Sequence, residues 1–206
     1  MATRDTDRSR KKAGRYHHGD LRGALIDTAI ELIAEHGIAR FTLAEASRRL
    51  GVSVGAPYRH FADRESLLAA AATKAADALS AMLAAEAADV ESPADRLAAA
   101  ARAYVRFAAD QRPLFETLFA AGLDKGRLPE LVEATKPIER AFGEPAAAFA
   151  GDGKATEDLA LAVVAIAHGH AALLVDGALG RGPDALEAAA TRAAETTRAY
   201  LAGRAQ

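Results

Sequence analysis

The chain has 206 residues, 26 Lys+Arg against 28 Asp+Glu, and is half apolar with only 5% aromatic residues. It has no cysteine, which excludes disulfides, thiolate metal sites and cysteine nucleophiles. No apolar run approaches the length of a bilayer span, and the polar, basic N-terminus lacks the apolar core of a secretory signal, so a cytoplasmic protein is expected.

Alanine dominates the apolar residues and no sustained alternating Val/Ile/Thr run occurs, so the fold is expected to be all-α. The length suits one domain or two small ones. Charge is unevenly spread: residues 1–65 hold 12 Lys+Arg against 9 Asp+Glu, and the remainder 14 against 19. A basic head on an acidic body fits local attraction for phosphate.

Residues 1–15 are charged and without apolar periodicity, which reads as a disordered basic arm able to lie along DNA. Arg15, Tyr16 and His17 are candidates for contact with the DNA backbone, with plain surface exposure as the alternative for the Tyr16–His18 stretch. Tandem His17 and His18 lack the further ligands of a metal site. A first helix is expected from Asp20 as cap to about His36, with Leu21, Leu25, Ile26, Ala29, Leu32 and Ile33 as its buried stripe and Gly37 as its stop.

The stretch from Thr42 to Phe61, TLAEASRRLGVSVGAPYRHF, reads as two short helices joined by a tight turn. Thr42 and Glu45 have the spacing of a capping box, Leu43, Ala46 and Leu50 recur at helical spacing, and Gly51 ends the helix. Ser53 is the expected cap of the next helix, at about 54–60, which carries the hydrogen-bond donors Tyr58, Arg59 and His60. Two helices joined by a short Gly-containing turn form a helix-turn-helix, a DNA reader.

Over residues 15–70 the chain resembles the tetracycline-repressor (TetR) family of ligand-responsive transcriptional regulators. The resemblance rests on TLAEASRRLGVSVGAPYRHFADRESLL and, upstream, YHHGDLRGALIDTAIELIAEHGIARF. It implies phosphate contact for Thr42, Tyr58 and His60, and access to the major groove for Ser53, Val54, Ala56 and Arg59. Two residues depart from the pattern. Family members often have a basic or polar residue where Val54 stands, and Leu where Pro57 stands. Val54 cannot hydrogen-bond and can touch only a thymine methyl, or nothing.

Asp63 caps a long helix expected from Arg64 to about Ala88; by resemblance it links the head to the body. Ser92 and Pro93 start a helix that runs to about Asp110 and carries Leu97, Tyr104, Val105 and Phe107. Pro113 opens a short helix with Phe115 and Phe119, residues 122–128 read as a loop, and Pro129 starts another helix. Pro137 and Pro145 are expected to break or kink it, leaving Ile138, Phe142 and Phe149 on interrupted faces. Tyr104, Phe107, Phe115, Phe119, Phe142 and His168 are the candidates for binding a small, apolar effector. The resemblance supports such a cavity; an irregular core is the alternative.

Residues 151–154 lack the glycine and the Ser or Thr of a phosphate loop, since positions 148 and 155 are both Ala. A helix from about Thr156 to Leu179 is apolar nearly all round, which implies burial in the body or at a subunit interface. Its AHGHAALLVDG segment resembles a subgroup marked by Trp-His-Gly, with Ala167 in place of Trp. His168 either bonds a ligand or is a core histidine satisfied by backbone; His170 is structural. Pro183 starts the last helix, to about Leu201. By resemblance the last two helices form a homodimer interface.

The expected architecture is about nine helices: the basic arm at 1–15, a helix-turn-helix DNA-binding domain at 16–65, and a ligand-binding and dimerisation domain at 66–206. Acid and base residues are scattered without a nucleophile–base pair, so no enzyme, cofactor or metal is expected. The leading reading is a repressor that binds a pseudo-palindromic operator as a homodimer and is released by a small molecule. A DNA-binding protein without small-molecule control is the alternative.

Overall fold

The computed structural model describes residues 20–119, 128–151 and 153–204. The arm, with Arg15, Tyr16 and His17, and most of the loop expected at 122–128 lie outside the described residues. Among those described there are eight α-helices and no strand. The count falls below nine because one expected α-helix is a 3₁₀ turn.

The first three elements form the head. Helix α1 (Leu21–His36) starts where the Asp20 carboxylate accepts the Gly23 amide at 2.8 Å and stops at Gly37. Its predicted stripe is buried, apart from half-buried Leu21. Helix α2 (Leu43–Leu50) is capped by Thr42, whose hydroxyl accepts the Glu45 amide at 3.1 Å. Only that half of the expected capping box forms, because the Glu45 carboxylate pairs instead with Arg48 at 2.7 Å. Gly51 ends α2 at φ 68, the left-handed region where a side chain is strained.

After Gly51 the chain departs from expectation. In place of an α-helix over 54–60 it forms turns and one 3₁₀ turn, Pro57–Arg59. The cause is local. Pro57 has no amide hydrogen to give the Ser53 carbonyl, so the Ala56 amide takes that carbonyl at 2.9 Å in the tighter register. The residue that precedes the 3₁₀ turn is Ala56, so Ser53 does not stand at the expected cap position.

Helix α3 (Arg64–Ala87) begins with a reciprocal cap between Asp63 and Ser66. Its first turns complete the head core, where Leu67 and Leu68 meet Leu25, Leu32, Phe41 and Phe61. Arg64 fixes the junction: its Nε donates to the Phe41 carbonyl at 2.9 Å and its Nη2 to that of Ile38. The rest of α3 belongs to the body, with α4 (Pro93–Asp110), α5 (Arg112–Leu118), α6 (Pro129–Ala150), α7 (Lys154–Val175) and α8 (Pro183–Arg204). Leu114 of α5 packs against both cores.

Helix α6 runs through Pro137 and Pro145 without the expected break. A proline inside a helix costs about 3 kcal/mol. Packing of α6 against α3, α4 and α7, with Leu131 and Phe142 buried, offsets that cost. Helices α3 and α7 are long and apolar enough by composition to cross a bilayer, contrary to the sequence reading. Their alanine content raises hydropathy while leaving each residue little surface to bury.

Candidate nucleic-acid interface and body cavity

The short chain reversal between α2 and α3 displays the predicted DNA-reading residues on the surface. Ser53, Arg59 and His60 are exposed, Val54 and Tyr58 are 62% and 58% exposed, and Ala56 is half-buried. Such exposure of Val and Tyr leaves their apolar surface unpaid by burial in the single chain. Pro57 and Phe61, buried beneath them, hold the turn against the head core. The side chains of Arg59 and His60 have no ion-pair or hydrogen-bond partner among the described residues.

Several other head cations are engaged. Arg49 grips Glu35 through two bonds of 2.5 and 2.7 Å, which hold the Glu35 carboxyl below its ordinary range. It therefore braces α2 against α1. Arg22 lies over the Phe61 ring at 5.3 Å. Sequence reasoning passed over Arg40, which is exposed and without an ion-pair partner among the described residues, two positions before the Thr42 cap. Its closeness to Thr42 in the chain was the available signal.

In the body the aromatic candidates meet. The Tyr104 hydroxyl lies 2.9 Å from His168 Nδ1, and its ring contacts Phe115, Phe119 and Phe142 at centroid distances of 5.9, 5.8 and 6.4 Å. Phe119 and His168 are 5.2 Å apart. Burial pushes the Tyr104 hydroxyl pKa up, so the group stays neutral at any physiological pH. The partly positive edges and negative faces of these rings favour such tilted contacts. Phe107 is fully buried in the same core but is not brought to the cluster. His170 donates from Nδ1 to the Ile166 carbonyl at 2.8 Å, a structural bond within α7.

A cavity of about 350 Å³ opens beside this cluster between α5, α6 and α7. Its wall includes Leu118, Phe119, Ile138, Phe142 and Val164, with Thr135 and Glu139 as polar groups. Phe119 and Phe142 thus line it directly, while Tyr104, Phe115 and His168 form the layer behind them. The volume lies within the range of small-molecule sites, which are mostly apolar with a few orienting polar groups. Positions 135, 138, 139 and 142 follow helical spacing on one face of α6, so the wall was written in the sequence. Which face it would meet was not.

The family model described as bacterial regulatory proteins, tetR family, matches residues 25–71, and that of a tetracyclin repressor-like C-terminal domain matches residues 97–197. No curated protein matches the chain. Among solved structures, a protein of unknown function from Rhodococcus sp. RHA1 is 34% identical, with a TM-score of 0.68, over 90% of this chain and 97% of that one. A tetR-family regulatory protein from Rhodococcus RHA1 shares the fold at 22% identity and TM-score 0.70, over 87% of this chain and 96% of that one. FadR from Bacillus subtilis, solved with stearoyl-CoA, does so at 15% identity and TM-score 0.69, over 85% and 96%. With a matching DNA-binding head, a matching body and this layout of helices, the chain belongs to the tetR family of bacterial regulatory proteins.

Proposed function

We propose that this ligand-responsive DNA-binding regulator is a cytoplasmic homodimeric repressor, released from a pseudo-palindromic operator when a small apolar effector enters the α5–α6–α7 cavity. Residues 16–65 contact the operator, with the 1–15 arm along its backbone, and residues 66–206 bind the effector and dimerise. The observation that carries this reading is the double packing of α5. Its Leu118 walls the cavity, its Phe115 lies in the ring cluster, and its Leu114 touches the head core. An effector that prefers one setting of α5 shifts the head by that difference in affinity alone.

Dimerisation through α7 and α8 is supported by a stripe on α7. Leu161, Ala165, Gly169 and Leu173 follow at intervals of four and are all exposed in the single chain, Leu161 by 67%. Leu161 also lines the cavity. A partner seated on this stripe closes the cavity mouth, and sets two heads on one site. The His168-Gly169 pair supports a place near the Trp-His-Gly subgroup, while buried Ala167, standing where that subgroup has Trp, weakens the match.

The stearoyl-CoA bound to the fold relative FadR makes acyl compounds the first effectors to try. The test is selection of bound duplexes from a random pool, followed by titration of the enriched operator with acyl-CoAs and free acids. An enriched pseudo-palindrome released by such a compound supports the proposal. Binding that no small molecule alters would favour a regulator without effector control, and binding without any enriched sequence would sink the operator reading.

A further inference from the structure

A second concavity, of about 530 Å³, lies on another side of the body where α3, α4 and α6 meet. Its lining includes the apolar Leu83, Ala84, Ala87, Ala100 and Ala141, with Ser80 as a polar group among them. Its rim carries Arg96 of α4, Arg140 of α6 and Glu144. Most other arginines in this part of the body are matched to an acid: Arg102 to Glu86, Arg106 to Glu187, Arg112 to Glu116 and Arg198 to Asp95. Among the described residues Arg96 and Arg140 are not, although Arg96 is half-buried, and Glu144 stands four residues from Arg140 without pairing to it.

We infer that this groove is a separate binding site for an amphipathic monoanion, a carboxylate on an alkyl chain, held head-first between Arg96 and Arg140. Guanidinium groups bind carboxylates through charge-assisted, often paired hydrogen bonds. The alanine lining offers the chain an apolar track with few bulky groups in its way. Two cations and one carboxylate leave one positive charge, which matches a monoanion better than a phosphate dianion. A head group bridging the two arginines ties α4 to α6 at the end of α3 away from the head.

The test uses the full-length protein carrying Val164→Phe, which fills the α5–α6–α7 cavity and removes it as a competing site. Decanoate, decanol and decyl phosphate are titrated calorimetrically. Decanoate is expected to bind one per chain and more tightly than either of the others. Adding Arg96→Gln and Arg140→Gln should weaken it by at least about tenfold. Circular dichroism melting checks that the variants fold, and exposed Arg140→Gln alone serves if the pair does not. Absence of decanoate binding, equal binding of decanol, or binding indifferent to the arginines would each overturn the inference.

Discussion

The hydroxyl of Tyr104 and Nδ1 of His168 are 2.9 Å apart, a bond that joins α4 to α7 behind the cavity wall. One of the two donates and the other accepts, and the His tautomer decides which. Replacing Tyr104 by Phe keeps the ring contacts and leaves the imidazole nitrogen without this partner. A loss of about 1 kcal/mol is expected, a fall of roughly 2–4 °C in melting temperature. An unchanged melting temperature would mean that water replaces the hydroxyl at no cost.

The same residue sets an alkaline limit. Below its ordinary pKa of about 10 the Tyr104 hydroxyl is protonated both folded and unfolded, and contributes no pH dependence. Above that pH the unfolded phenol ionises while burial keeps the folded one neutral, so stability falls as pH rises. Unfolding in denaturant at pH 9 and pH 11 should show a steeper loss in the native chain than in Tyr104→Phe. Equal losses would assign the effect to other groups.

Filling the cavity should silence the effector. Val164→Phe places a ring between α6 and α7 where the wall is now open. An effector at a hundred times its Kd stabilises a folded protein by about 2.7 kcal/mol, a rise of roughly 5 °C or more here. That rise should vanish in the variant while operator affinity stays. A persisting rise would place the effector elsewhere.

Tyr58 is exposed beside Arg59 and His60, and a phenol that donates to phosphate adds affinity without reading bases. Tyr58→Phe should therefore weaken binding to every duplex alike, by about three- to tenfold. An altered sequence preference at unchanged general affinity would make Tyr58 a base reader instead.

Ala165 sits in the middle of the exposed α7 stripe. An arginine there would bury an unpaired charge in the proposed interface, at a cost of several kcal/mol. Sedimentation should show Ala165→Arg as a monomer with much weaker operator binding. A dimer of undiminished affinity would move the interface off α7.

Features set by neighbours in the chain were legible without coordinates. Asp20, Thr42, Asp63 and Ser92 cap helices because a side-chain oxygen three residues upstream meets a free amide, a purely local event. The surface display of Ser53, Val54, Tyr58, Arg59 and His60 was legible too, in a short stretch between the Gly51 stop and buried Phe61. What failed depended on competition between local and distant terms. At Pro57 the local term won, since a missing amide in so short a segment has no packing to outweigh it, and the helix tightened into one 3₁₀ turn. In α6 the distant term won, and two prolines stayed inside a helix held by three others. The cavity depended on which helix faces meet. Phe142 and Phe119 belong to its wall and Phe107 does not, a distinction invisible to the spacing of aromatic residues.

Leu114 has one further consequence, for anyone wishing to rewire such a regulator. The head ends in the sequence near the start of α3, yet part of its inner surface is supplied by α5, almost fifty residues later. A chimera that joins a foreign head to this body at residue 65 inherits Leu114 shaped for a head no longer there. Response to the effector would then be lost even where operator recognition and effector affinity both survive. Transplanting a head that still obeys this body means carrying residue 114 along with it, because the seam between the modules runs through space and not along the chain.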